Sequence, residues 1–284
     1  MSEEIKKKKV KIDRDADMPV VPERKKNGFY KFVLFFFKGR VNKSTVEYLE
    51  PFEPGNIMIS NHAQMWAPIY YEIKISHKRF WCTQEVLHYK GCGDYAYKDW
   101  WSHMPVIIRP LFWLIAHLFV QPLAPKLFRC ADTLPVYRDI RLRDTFNYSL
   151  ESLEAGYTNI ITPETHIPGN NIVNSFLPNF VDIARLYYKK TGKCLKFYPS
   201  YLALTLNKIV VGHPIVYNPN NNFKDEKTRI VQELEQAIYD IAISLPEHKV
   251  VPYENLTKKQ WLTNTQAKAL YEAKQKEGEN HEEA

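Results

Sequence analysis

Three polar clusters in the chain each follow a short apolar stretch that has the length of a buried strand. The apolar stretches span residues 56–60, 133–137 and 158–162. The polar residues after them are, in order, Asn61, His62 and Gln64; Arg138 and Asp139; and Glu164, Thr165 and His166. An imidazole with a pKa near neutrality is suited to general acid–base catalysis. Because the carboxyl ends of parallel strands meet at one edge of a sheet, we expect a base, a cation and a carboxylate to converge there.

Each cluster also has a plainer interpretation. A histidine after a strand is often structural, and an adjacent Arg138–Asp139 pair is typical of a surface ion pair that contributes little to stability. The triplet 163–165 (Pro-Glu-Thr) is typical of a turn or a helix N-terminus. The order of the three clusters and their spacing therefore favour a functional site more than any single cluster does.

The elements that must position these clusters alternate between strands and helices. Further strands are predicted at 195–206 and 208–211, and amphipathic helices at 144–155, stopped by Gly156, and at 224–245. This alternation predicts an α/β fold with a mainly parallel central sheet flanked by helices.

The ordered clusters resemble the motifs of the glycerolipid acyltransferase superfamily, whose members include the enzymes that make phosphatidic acid from lysophosphatidic acid. Asn61-His62 matches the pair that opens the first motif of that family. Residues 134–138 (LPVYR) are similar to its Ile-Pro-Val-Asp-Arg motif, and residues 162–166 (TPETH) to its Phe-Pro-Glu-Gly-Thr-Arg motif. Residues 197–201 (FYPSY) are a fair match to a fourth, proline-containing motif. The resemblance covers roughly residues 50 to 215 and implies a glycerolipid acyltransferase-like fold.

The resemblance implies a role for each matched residue. His62 would be the general base that deprotonates the acceptor hydroxyl, and Arg138 would grip the acceptor phosphate with its planar fork of donors. The substrate-binding set would be Asn61, Gln64, Arg138, Glu164, Thr165 and His166. The acyl donor would be a thioester of coenzyme A or acyl carrier protein, acting as co-substrate, with no bound cofactor and no metal. The acceptor would be a lysophospholipid or a similar hydroxyl-bearing molecule.

The chain departs from the family pattern at three places. Ala67 stands five residues past His62, where the family has the aspartate that orients the imidazole, and Tyr137 replaces the aspartate of the second motif. In the third motif the glycine is absent and His166 replaces an arginine. Gln64 could fix the orientation of the ring without supplying charge, and Glu72 or Glu85 could approach it in space. These departures leave open a relative that binds lipid or acyl carrier without turnover.

Apolar and charged segments indicate how the chain is organised and where it works. Residues 1–26 are predicted to be a mobile charged arm, residues 27–256 a single α/β domain, and residues 257–284 a polar, partly helical tail. The aromatic run 29–37 (FYKFVLFFF) is too short to span a bilayer; it could lie on one as an N-terminal membrane-surface segment, or form a buried strand or helix. Residues 104–123 are broken by Arg109, Pro110 and His117, which favours a buried or interfacial helix over a spanning one.

The overall composition points to an anionic partner. The formal net charge is +7, the pI is near 9.0, and aromatic residues make up 14% of the chain. Tyrosines, tryptophans and cations between residues 85 and 110 favour a membrane interface, with a packed or protein-binding loop as the alternative. Nucleic acid is disfavoured because the basic residues are spread along the chain without a recognised motif. Four cysteines at wide spacings indicate free thiols. We therefore expect a peripheral protein at the cytoplasmic face of a membrane, on an anionic leaflet.

Overall fold

The described residues form eight strands joined in one sheet. The computed structural model describes residues 15–64, 66–102, 104–167, 169–253 and 256–282. The strands are β1 (Thr45–Tyr48), β2 (Ile57–Ser60), β3 (Lys78–Thr83), β4 (Thr133–Val136), β5 (Thr158–Ile161), β6 (Lys196–Ala203), β7 (Lys208–Val211) and β8 (Ile215–Val216). Their order is β1-β7-β6-β2-β5-β3-β4, with β8 paired to β6. Only the pairs that β6 makes with β7 and β8 are antiparallel among the described pairings.

Helices cover both faces of this sheet, so the predicted α/β fold with a mainly parallel sheet is confirmed. The helices are α1 (Gly28–Val41), α2 (Trp66–Lys74), α3 (Gln84–Leu87), α4 (Cys92–Ala96), α5 (Arg109–Ile115), α6 (Gln121–Phe128), α7 (Leu142–Glu154), α8 (Asp182–Thr191), α9 (Phe223–Ser244) and α10 (Asn264–Glu282). The predicted helices 144–155 and 224–245 correspond to α7 and α9.

The two faces of strand β2 show how the core is divided. Side chains alternate along a strand, so Ile57 and Ile59 face one side and Met58 the other. The first pair packs with α7, α8 and α9, whereas Met58 packs with α1 and α2. All three are fully buried, and β2 therefore lies in the centre of the molecule with helices on both sides.

Part of the segment 15–26 contacts the edge of the sheet near β4. The division of the chain into an arm, a domain and a tail stays a prediction. The guanidinium of Arg24 is buried and donates to the carbonyl of Ala131 at 2.8 Å and to the hydroxyl of Thr133 at 3.0 Å. Lys26 pairs with Asp132 at 2.6 Å. The positive charge of Arg24 and Lys26 suggested that this segment is exposed. Backbone carbonyls and the carboxylate of Asp132 at the edge strand β4 bind the two cations instead. Residues 1–14 of the predicted arm lie outside the described residues.

The beginning of the predicted polar tail also packs on the domain. Trp261 and Ala267 are buried. The side-chain amide of Asn264 donates to the carbonyls of Ala242 and Leu245 at the end of α9. The packed structure thus continues past residue 256, while the predicted helical character of the tail agrees with α10.

The insertion between β3 and β4 contains a long, exposed, apolar helix. Helices α5 and α6 are continuous through a wider turn at Ala116–Val120. Among the described residues, this stretch, Arg109–Phe128, is long and apolar enough to cross a membrane by length and composition. The sequence interpretation counted Arg109, Pro110 and His117 as interruptions and predicted no such stretch. Most of its surface is exposed.

Candidate active site

Asn61, the first residue after β2, ties two strands together. Its side-chain oxygen accepts from the backbone N–H of Leu202 at 2.8 Å, and its amide donates to the carbonyl of the same residue at 3.4 Å. The side chain is buried. Asn61 therefore holds β2 to β6 at the carboxyl edge of the sheet.

A tight turn follows His62 and begins α2. Ala63 and Gln64 have φ values of 46° and 54°, in the left-handed region that residues with a Cβ rarely adopt. The carbonyl of Ala63 accepts from the backbone N–H of Trp66 at 3.1 Å. The amide of Gln64 donates to the carbonyl of Leu256 at 3.4 Å, so this predicted substrate residue also contacts the C-terminal segment. Unfavourable backbone geometry of this kind persists where the surroundings enforce it, as in active sites.

His62 lies at the mouth of this turn with one ring nitrogen unused. Its ring contacts that of Tyr253, with 4.9 Å between centroids. Nδ1 is buried and has no hydrogen-bond partner among the described residues. Burial lowers the pKa of His62 to about 4, and the backbone of Gln64 beside the ring offsets only part of that fall. The imidazole is therefore neutral at pH 7 and able to accept a proton.

Glu164 clamps the backbone of His62. Because β2 and β5 are neighbours in parallel register, the residues after them meet. One carboxylate oxygen of Glu164 accepts from the backbone N–H of His62 at 2.6 Å, and the other from that of Asn174 at 3.0 Å. Burial raises the pKa of Glu164 to about 7, against the opposing effect of the two N–H donors. Sequence predicted that these two residues converge, and the structure brings them into contact.

Thr165 and His166 follow Glu164 in the same loop and make different contacts. The hydroxyl of Thr165 donates to the carbonyl of Ser175 at 2.8 Å, so it fixes the loop. His166 is exposed, and its ring stands edge-on to Tyr253 with 5.6 Å between centroids. Tyr253 therefore lies between His62 and His166 and joins the two loops.

Arg138 lies two residues past the end of β4. It is exposed and makes no hydrogen bond or ion pair with the described residues. Burial raises the pKa values of both Tyr253 and Asp99, and the charge of Arg138 opposes that rise in each. Arg138 thus remains available for an anionic ligand.

Asp99 is a site residue that the sequence interpretation missed. It comes from the wider helical turn Tyr97–Trp101 in the insertion. Hydrogen bonds from Trp100 and Tyr95 and the charge of His166 favour its ionised form, whereas burial raises its pKa overall. Tyr253 and Asn174 were missed as well. None of the three lies in a motif, and their residue types alone carry no signal of the contact.

The carboxylate that the family pattern expects beside His62 has no replacement among the candidates that the sequence offered. Ala67 is fully buried in the apolar core on α2. Glu72 is engaged by Lys78 at 2.6 Å and by Lys26 at 3.2 Å, and Glu85 accepts a hydrogen bond from Thr83.

Tyr137, the other departure near this site, faces away from His62. Its hydroxyl donates to Asp17, and Arg141 lies 4.1 Å from its ring centre. The tyrosine at the position of the motif aspartate thus anchors the N-terminal segment. No group of three or more histidine, cysteine, aspartate or glutamate side chains that could hold a metal occurs within the described part of the chain.

The chain has a distant structural likeness to a solved structure. No protein-family model matches the chain, and no curated protein matches it. The fold is similar to the crystal structure of the 1-acyl-sn-glycerophosphate (LPA) acyltransferase PlsC from Thermotoga maritima, with 14% sequence identity and a TM-score of 0.42. The match covers 75% of this chain and 80% of that one. A likeness this distant assigns no activity.

Proposed function

We propose that the protein is an acyltransferase that moves a fatty acyl group from a thioester to the hydroxyl of a lysophospholipid or similar acceptor. The observation that carries the proposal is the contact between His62 and Glu164. It joins the first and third sequence clusters at the ends of neighbouring strands, and the charge of Arg138 acts on Tyr253, whose ring contacts His62. A base beside an available cation suits an acceptor that carries both a hydroxyl and a phosphate.

The chemistry follows from the neutral imidazole of His62. It takes the proton of the acceptor hydroxyl, and the resulting oxygen attacks the carbonyl carbon of the thioester. The tetrahedral intermediate then collapses and the carbon–sulfur bond breaks. The leaving thiolate takes the proton from His62, which returns the imidazole to its neutral form. An ester and a free thiol are formed, so no oxidant or reductant is needed. The thiol would belong to coenzyme A or to acyl carrier protein, which acts as co-substrate.

The unpaired Nδ1 of His62 limits the rate of this mechanism. A carboxylate at that nitrogen would stabilise the imidazolium that forms, and in a serine protease the change of that carboxylate to an amide costs about 10⁴ in rate. A loss of that size still leaves measurable catalysis, because enzymes accelerate reactions by about 10⁶-fold or more.

The exposed apolar helices support a membrane location for this reaction. Phe32, Phe35 and Phe36 on α1 are mostly exposed, as are Leu118 and Phe119 on the insertion helix. Basic residues occur in the last turn of α1. Aromatic side chains beside cations suit an anionic leaflet, and we propose a peripheral position at the cytoplasmic face of the membrane.

One observation favours a second candidate function, a lipid- or acyl-carrier-binding protein without turnover. The family pattern has an aspartate beside the base, but Ala67 occupies its position here. Nδ1 of His62 accordingly has no hydrogen-bond partner among the described residues. The remaining features, Arg138 and the exposed apolar helices, serve binding equally well.

Acyl transfer on vesicles with the purified protein distinguishes the two. Coenzyme A and acyl carrier protein thioesters are offered to a panel of lysolipids on anionic vesicles, with His62→Ala and, as a matched control, the exposed His213→Ala. Because the backbone N–H of His62 makes its hydrogen bond to Glu164, the fold should survive the first substitution. We expect His62→Ala to lower turnover about 10²- to 10⁴-fold and the control to leave it unchanged. Turnover that persists in His62→Ala would contradict the mechanism, and no product from the wild type would favour the binding protein.

A further inference from the structure

A cavity with a volume of about 140 Å³ opens near the carboxyl end of β6, and cationic side chains line it. It is lined by Arg40, Trp66, Leu204, Thr205, Lys249, Lys258 and Trp261. Three of these residues carry positive charge, and no acidic residue is among them. We call this cavity the basic pocket.

None of the three cations has a carboxylate partner among the described residues. The guanidinium of Arg40 lies 4.9 Å from the ring centre of Trp66 and donates to the Tyr70 hydroxyl through Nε at 3.3 Å, which leaves its outer nitrogens available. The ammonium of Lys249 donates to the carbonyl of Trp261 at 2.8 Å. Lys258 is exposed and makes no side-chain hydrogen bond with the described part of the chain. Three unneutralised cations around one cavity repel each other unless an anion joins them.

The size and chemistry of the basic pocket fit a phosphate group. A guanidinium with unused donors binds phosphate through two parallel hydrogen bonds, and lysines add point charges. Since a water molecule occupies about 30 Å³ of liquid, the cavity holds roughly the volume of four to five waters. That is enough for a phosphate but too little for an acyl chain.

The surroundings of the basic pocket point to a lipid as the source of the phosphate. Arg40 lies in the last turn of α1, the helix that exposes Phe32, Phe35 and Phe36. Phe37 of the same helix packs edge-on against Trp66, with 6.3 Å between ring centres. A phosphate seated here would therefore lie beside an apolar surface suited to the acyl region of a bilayer.

We propose that the basic pocket binds the phosphate of an anionic lipid headgroup, at a site separate from Arg138. The inference rests on the proposed function for the membrane location, whereas the anion site rests on the pocket itself.

The test compares two double variants of equal charge. Lys249→Gln with Lys258→Gln removes two pocket cations while glutamine retains a hydrogen-bond donor. Lys189→Gln with Lys193→Gln, at exposed positions near the amino end of β6, is the matched control. Binding is measured by co-sedimentation with phosphatidylcholine vesicles with and without phosphatidylglycerol. In a second arm, inorganic phosphate and glycerol 3-phosphate are tested for a rise in melting temperature.

We expect the pocket pair to weaken binding to phosphatidylglycerol vesicles about tenfold and the control pair less than about twofold. If the soluble phosphates stabilise the wild type and the control pair but not the pocket pair, the pocket binds phosphate and also accepts a soluble source. If they stabilise none while the vesicle difference remains, the source is the lipid. Equal weakening of vesicle binding by both pairs, or no weakening by either, would overturn the proposal that the pocket binds a lipid headgroup.

The two proposals fail separately. Vesicle binding requires no turnover, so His62→Ala should bind phosphatidylglycerol vesicles as the wild type does. Absence of product in the wild type would contradict the acyltransferase and leave the basic pocket in place. Equal behaviour of the two double variants would contradict the pocket and leave the acyltransferase in place.

Discussion

His62 combines a depressed pKa with a buried nitrogen, Nδ1, that has no hydrogen-bond partner in the described ranges of the chain, and these two features have one origin. Burial without a counter-charge disfavours the imidazolium, which lowers the pKa to about 4. A general base works best when its pKa lies near the working pH, so this imidazole is neutral but a weak proton acceptor. The residue that could correct this is Ala67, on the first turn of α2.

Ala67→Asp is expected to raise transfer activity about tenfold or more while lowering the free energy of unfolding. The new carboxylate would give Nδ1 of His62 a charged partner, as in the family pattern, and would raise the pKa of the imidazole. Because Ala67 is fully buried among apolar side chains, a polar group there costs on the order of 2 kcal/mol or more. Steady-state kinetics and urea denaturation measure the two effects.

Ala67→Asn is the matched control, with nearly the same volume and no charge. It should cost similar stability without the gain in rate, because an amide cannot stabilise an imidazolium. If Ala67→Asp is no more active than Ala67→Asn, the start of α2 does not present position 67 to His62.

At the level of secondary-structure elements, α1 and the insertion helix expose apolar surface that the fold does not use. Phe35 and Phe36 are 72% and 67% exposed, and Phe119 on the insertion helix is 59% exposed. Apolar surface of this extent outside the core is typical of a membrane or protein contact.

Phe35→Ser with Phe36→Ser should weaken binding to vesicles at least tenfold and leave the free energy of unfolding nearly unchanged. Full burial of one such side chain contributes about 1.5–3 kcal/mol, and an interface yields part of that. Co-sedimentation and thermal denaturation measure the two quantities. Val216→Ser, an exposed apolar position on β8, is the control. Unchanged vesicle binding of the double variant would show that α1 does not contact the membrane.

Most elements could be predicted from the sequence because their signals are local. Short apolar runs between turns gave β2, β4 and β5, and apolar spacing gave α7 and α9. The contact of His62 with Glu164 followed from strand ends in a parallel sheet. Asp99 and Tyr253 could not be predicted, since their positions depend on the path of the insertion and of the C-terminal segment. No periodicity in the sequence encodes either path.

Two contacts could not be predicted because residue type does not specify environment. Arg24 lies in a charged segment, yet it is buried against backbone carbonyls that a sequence pattern does not reveal. Asn61 follows a predicted strand, and its side-chain amide hydrogen-bonds the backbone of Leu202 and holds two strands together.

For the whole molecule, His62 and Glu164 make opposite contributions to the pH dependence of stability. The pKa of His62 falls on folding from 6.5 to about 4, so the unfolded chain binds more protons between these values and stability rises with pH there. The pKa of Glu164 rises on folding from 4.5 to about 7, so the folded chain binds more protons and stability falls with pH over that window. The two slopes therefore oppose each other across most of the range.

Glu164→Gln removes one of these slopes and leaves the other. The free energy of unfolding of the variant, relative to the wild type, should increase by on the order of 3 kcal/mol as the pH rises through the window from 4.5 to about 7. The glutamine amide also accepts less well from the backbone N–H of Asn174 than the carboxylate does. This loss lowers the free energy of unfolding by an amount that does not depend on pH. Urea denaturation at a series of pH values measures the difference, with the exposed Glu151→Gln as control. Parallel curves for Glu164→Gln and the wild type would mean that Glu164 stays ionised in the folded protein. The group that accepts from the backbone N–H of His62 would then be a carboxylate across the whole pH window.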